Sequence, residues 1–174
     1  MTIIRNYLKK YNLMCMKISI IAVGKLKESF FKEAVAEYEK RLSRYCKLDI
    51  IQVEDEKTPD SACSALEEQI KEKEGTRILK ALKEDAYVIT LEIQGNKMDS
   101  EVFAHTLEKL ATYGKSHIQF VIGGSLGLHK SVSAKADLKI SFSDMTFPHQ
   151  LMRVILLEQI YRGYRIINKE PYHK

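Results

Sequence analysis

The chain has 174 residues, 45% of them hydrophobic and 29% charged, with 28 Lys and Arg against 23 Asp and Glu. That length and balance suit one globular domain with a real core, and they exclude a disordered, collagen-like or disulfide-stapled chain. No apolar run approaches the roughly 20 residues that a membrane-spanning helix needs.

In chain order, MTIIRNYLKKYNLMC (1–15) places Ile3, Ile4, Tyr7, Leu8 and Tyr11 at helical spacing. Its apolar stretch is too short and interrupted for a secretory signal. Met16-Lys17-Ile18 looks like a second start, so residues 1–15 are expected to be an extension outside a single domain covering 16–174. KISIIAV (17–23) is a buried strand ending at Gly24. Apolar residues at 31, 34, 35, 38, 42 and 45 predict an amphipathic helix over 29–46. KLDIIQV (47–53) is a second strand, and the polar segment 54–62 with Pro59 is a loop. Ser64-x-x-Glu67 has the form of a capping box and predicts a charged helix to about Leu82.

AYVITLEI (86–93) is a third strand, closed by Gly95. Asp99 or Ser100 starts a helix that Gly114 ends. HIQFVI (117–122) is a fourth strand running into GGSLG, a short helix follows around 130–136, and LKISFS (138–143) is a fifth strand. The last helix runs from about Pro148 to Arg165, with proline tolerated in its first turn. This alternation predicts an α/β fold: a mainly parallel sheet with helices on both faces.

The cysteines Cys15, Cys46 and Cys63 show neither CxxC nor CxxH spacing, which predicts no metal site and reduced thiols in a cytoplasmic protein. From His149 to Lys174 there are five basic residues (Arg153, Arg162, Arg165, Lys169, Lys174) against Glu158 and Glu170. A basic C-terminal face of this kind suits phosphate contacts, and equally a solvated helix.

Ligands of open parallel sheets bind beyond the carboxyl ends of the strands. Three such ends are unusual here: 91–95, 122–127 and 142–148. Gly123-Gly124-Ser125-Leu126-Gly127 fits the G-x-S-x-G of a serine nucleophile elbow. Asp137 or Asp144, then His149 or His173, would complete a triad order. Against that stand the short chain and the lack of an HGGG-like oxyanion motif. No P-loop lysine and no GxGxxG in the first strand–helix turn are present. The glycines otherwise serve a tight turn, or let backbone approach a ligand closely.

VIGGS-x-G, SFSDMTFPHQLMR, EQIYR and the terminal PYHK occur together, with KISIIAVGKLK at the start and VITLEIQGNKMDSE in the middle. In this combination the chain resembles the RlmH family of SPOUT (α/β-knot) methyltransferases, which modify N3 of a pseudouridine in 23S ribosomal RNA. The resemblance covers Met16 to Lys174. It departs from the family in residues 1–15 and in Lys174, where arginine is common.

The resemblance implies a C-terminal trefoil knot, S-adenosylmethionine (SAM) as methyl donor, and a homodimer acting on 23S rRNA, with the assembled ribosome as the expected substrate and no membrane partner. It implies that Leu91, Gly123 and the run Phe142, Ser143, Asp144, Met145, Thr146 and Phe147 hold SAM. It places catalysis with His173, Tyr172 and Arg153, with His173 favoured as the base, Arg153 on the cofactor or RNA side, and His149 a further candidate. His129 would touch RNA or be a plain loop residue. The competing expectations are a serine hydrolase using Ser125 and a ribosome-binding protein without catalysis.

Overall fold

The computed structural model describes residues 16–59 and 61–172; the extension expected at 1–15, His173 and Lys174 lie outside the described residues. The strands are β1 (Lys17–Val23), β2 (Lys47–Val53), β3 (Tyr87–Lys97), β4 (His117–Ile122) and β5 (Leu138–Ser141). The helices are α1 (Ser29–Leu42), α2 (Ser64–Ala81), α3 (Ser100–Thr112), α4 (Lys130–Ser133) and α5 (His149–Ile167). All strand pairs are parallel, in the order β2-β1-β4-β3-β5.

Alternation along the strands divides the core. Ile18, Ile20 and Ala22 of β1, with Ile118, Phe120 and Ile122 of β4, pack on one face beneath α1, α3 and α5. Ile21 and Val23, with Val121, pack on the other beneath Ile78 of α2 and Val132 of α4. Both faces of the central strands are therefore apolar, which explains why β1 and β4 read as continuous apolar runs.

Several boundaries differ from the sequence expectation, each for a local reason. Helix α1 ends at Leu42 because the Tyr45 and Cys46 amides both turn back to the Leu42 carbonyl. Cys63, not Ser64, is the N-cap of α2, and it makes no side-chain cap bond, so the capping box is not formed. Strand β3 continues past Gly95: Leu91 pairs with Ile140, residues 92–95 bulge outward, and Asn96 returns to the same Ile140. A Cβ on Gly95 would sit 2.5 Å from the Ile140 carbonyl carbon, so only glycine lets the bulge close. Pro148 is the N-cap of α5, and Asp99 caps α3 by accepting from the Val102 amide at 2.7 Å.

Candidate functional site: a cleft at the carboxyl ends of three strands

The bulged part of β3 and the segments after β4 and β5 meet the first turn of α5 around a cleft of about 710 Å³. That size lies in the usual range for small-molecule sites. The walls come from residues 91–94, 122–128, 140–143 and 145–149, with Met152.

Of the residues expected to hold a donor, Leu91, Gly123, Phe142, Ser143, Met145, Thr146 and Phe147 line the cleft. Asp144 does not. It is exposed and pairs with Lys97 Nζ, which ties the last loop to the re-paired end of β3. The loop after β5 is shaped by its own serines: Ser141 Oγ donates to the Ser143 carbonyl at 3.1 Å, and the Met145 amide donates to Ser143 Oγ at 2.9 Å. Met145 remains 69% exposed, so its side chain is part of an open rim.

The glycine wall is tight. The Gly127 amide donates to the Gly124 carbonyl at 3.1 Å. A Cβ on Gly123 would lie 2.8 Å from the Gly127 carbonyl carbon, and one on Gly124 would lie 2.7 Å from Glu74 Oε2. At Gly123 and Gly124 the wall is thus bare backbone, and no side chain can be added at either position without moving a neighbour. This geometry also disposes of the serine-elbow expectation. Residues 124–127 close a tight turn rather than entering a helix, and the next helix begins only at Lys130. Among the described residues no histidine or aspartate hydrogen-bonds exposed Ser125.

Arg153 departs from its expected role. It is 0% exposed and absent from the cleft lining, and its Nη2 donates to the Val23 and Gly24 carbonyls at 2.7 Å each. The guanidinium clamps the end of β1 to α5 and has no path to RNA in this chain. Tyr172 is also away from its own cleft. Its ring meets Tyr161 edge-on at 5.1 Å and lies 4.8 Å from the Arg162 guanidinium, and its hydroxyl donates to Glu158 Oε1 at 3.3 Å. His129 caps α4, its Nδ1 accepting from the Ser131 amide at 3.3 Å.

His149 does line the cleft. Burial, then the Arg153 guanidinium, pushes its imidazole below the ordinary histidine value, against the opposing pull of Asp55. The ring is therefore neutral at pH 7, with a lone pair free to accept a proton.

Glu74 was missed from the sequence. It is buried at 4% exposure behind the glycine wall, where Oε1 accepts from the Glu56 amide at 3.0 Å. Burial raises its carboxyl above the usual range, and Asp55 adds to this. Next to it, a Cβ on Gly75 would come within 3.0 Å of His129 Cβ. A signal existed: Ile70, Glu74 and Ile78 share one face of α2 at four-residue spacing, so the acid sits on the apolar stripe. Glu92 was also missed, because it reads as an ordinary strand-end acid.

Comparison with known proteins agrees with this picture. The model of the family described as "Predicted SPOUT methyltransferase" matches residues 16–173. A protein of Clostridium kluyveri (strain ATCC 8527) named "Ribosomal RNA large subunit methyltransferase H" is 58% identical over 159 residues, covering 91% of this chain and all of that one. Proteins of the same name from Clostridium tetani and Bifidobacterium adolescentis are 60% and 58% identical over the same coverage. Among solved structures, a probable methylase family protein from Haemophilus influenzae Rd KW20 shares the fold at a TM-score of 0.51 and 14% identity, over 93% of this chain and 71% of that chain. The parallel sheet, the backbone-walled cleft and the match over nearly the whole described chain lead to one conclusion: the protein belongs to the SPOUT methyltransferase family.

Proposed function

We propose that the protein transfers a methyl group from SAM to N3 of a pseudouridine in 23S ribosomal RNA, acting in the cytoplasm as a homodimer on the assembled ribosome. The observation that carries this is the cleft itself: a backbone-walled site at the carboxyl ends of β3, β4 and β5, in a chain 58% identical to a ribosomal RNA large subunit methyltransferase. Residues 16–174 form the catalytic domain in this reading, with 1–15 an extension and the C-terminal region threaded as a trefoil knot.

The lining fits an adenosine. Leu91, Phe142 and Phe147 offer apolar surface for the base, and the Gly123–Gly124 backbone offers amide and carbonyl groups at close approach. Ser143 and Thr146 add hydroxyls. Bound SAM supplies a methyl group already activated by its sulfonium, so the chain's work is alignment and proton transfer.

N3 of pseudouridine lies between two carbonyls and carries a weakly acidic proton. The neutral imidazole of His149, on the cleft wall, accepts that proton in this reading. The Tyr172–His173 pair then acts from the partner subunit, over the other chain's cleft, because within one chain α5 rises roughly 20 Å between His149 and the Arg162 that Tyr172 contacts. The target base is unstacked from an RNA loop, as enzymes acting on bases require.

The decisive experiment is mass spectrometry of large-subunit rRNA from cells lacking the protein. One methylated pseudouridine should disappear, return with the unaltered chain, and stay absent with Gly123→Val. An unchanged methylation pattern, or binding to ribosomes with no methyl incorporated in the presence of SAM, overturns the proposal.

A further inference from the structure

The cleft is nearly free of charge. Among the described residues that line it, Glu92 is the only carboxylate, and no lysine or arginine is present. The other titratable side chain there, His149, is held toward neutrality by burial and by Arg153. Glu92 is half-buried at the start of the bulge where β3 leaves β5. Its Oε1 accepts from the hydroxyl of Thr90, a residue 0% exposed, at 2.6 Å. A buried hydroxyl thus fixes one oxygen of the carboxylate, and no cation of the protein pairs with it among the described residues. A lone carboxylate is an odd choice for a wall otherwise built of apolar side chains, hydroxyls and glycine backbone, unless its counter-charge arrives with the ligand.

From this arrangement we propose that Glu92 makes the cleft select a cationic sulfonium donor over its neutral thioether product. The inference rests on the reading that the cleft takes SAM. SAM and S-adenosylhomocysteine differ by one methyl group and by the positive charge on sulfur. Apolar walls that exclude water lower the local dielectric and strengthen a charge–charge attraction several-fold over its value in bulk water. The attraction holds the charged donor and vanishes when the methyl group leaves, so the same side chain that favours loading also favours release of product. The bulge serves this end: it takes residue 92 out of the pairing with β5 and into the wall, and Gly95 alone permits it to close.

The test is calorimetric titration of the full chain with three ligands: SAM, S-adenosylhomocysteine, and sinefungin, in which an ammonium replaces the sulfonium. In Glu92→Gln, the affinities for SAM and sinefungin should fall by about tenfold while that for S-adenosylhomocysteine changes by less than about twofold. Glu92→Asp, which keeps the charge, should recover part of the preference. Equal weakening of all three ligands would make Glu92 a shape element only and overturn the inference, as would no change in any. If the unaltered chain binds none of the three, the methyl-donor reading falls with it. If it binds all three with a preference that Glu92→Gln leaves intact, this inference falls alone.

Discussion

Single side chains in this molecule separate into those that shape the cleft and those that hold the frame behind it. Gly123 is of the first kind. A valine there must displace the Gly127 backbone 2.8 Å from its Cβ, and that backbone is the wall itself. Gly123→Val should therefore abolish SAM binding in calorimetry while circular dichroism and the cooperativity of melting stay close to those of the parent. Unchanged affinity would mean that the ligand lies elsewhere. Arg153 is of the second kind. Truncating it to alanine leaves a cavity and strips the Val23 and Gly24 carbonyls of their donor. The expected cost is about 3 kcal/mol or more of unfolding free energy, read from the denaturant midpoint. A residue used only to grip RNA would leave that midpoint where it was. Arginine reads as exposed in sequence because it almost always is. Only the packing of α5 on β1 reveals that this one is buried, so its role was not legible beforehand.

At the scale of elements, legibility followed burial and periodicity. The bounds of β1, β2 and β4 could be read directly, since each is a short apolar run closed by a glycine or a polar turn. That the segments 91–95, 122–127 and 142–148 converge was also readable once the strands are neighbours, because parallel strands bring their carboxyl ends to one side, although 91–95 proves to be a bulge within β3 and not a loop after it. The double use of Ile140 by Leu91 and Asn96 was not: a bulge is decided by pairing with a strand some fifty residues away, and local sequence does not contain that pairing. Helix α5 joins the two halves of the proposed chemistry, with His149 in its first turn and the docked Tyr172 beside its later turns. The two ends should therefore fail differently. His149→Ala should lower kcat by about a hundredfold or more with little change in the KM for SAM. Because burial depresses the imidazole, the acid limb of the parent's pH–rate profile should lie below about pH 6.5 and vanish in the variant. His173→Ala should raise the KM for RNA and leave the acid limb in place. An intact acid limb in His149→Ala would assign the proton to another group.

The whole molecule carries two further consequences. Burial also depresses His117, whose Nε2 lies 2.9 Å from Ser19 Oγ at the amino end of the sheet. Both histidines are neutral when folded, so below about pH 6.5 the unfolded chain takes up protons that the fold refuses. Stability is full above that pH and should fall as the pH drops beneath it. Glu74, raised by burial, contributes with the opposite sign as the pH falls toward the ordinary carboxyl range. Urea midpoints from pH 7.5 down to about pH 4.5 should therefore decline more steeply in Glu74→Gln than in the parent, and less steeply in His117→Asn. Assembly is the larger question. The cleft rim exposes Ile93 and Met145, and Leu151, Val154 and Ile155 of α5 are only partly covered. In the proposed homodimer this region is the contact surface, and the tail of each chain is read as serving the other chain's cleft. Mixing two defective chains, assayed at an RNA concentration where neither alone turns over, tests this directly: one with the cleft blocked by Gly123→Val, the other with the tail changed by Tyr172→Ala and His173→Ala. After exchange of subunits at equal amounts, half of the dimers are mixed, and each mixed dimer pairs one intact cleft with one intact tail. If tails act across the dimer, about a quarter of the parent activity should return. If each tail serves its own cleft, every site in the mixture is broken on one side and no activity returns.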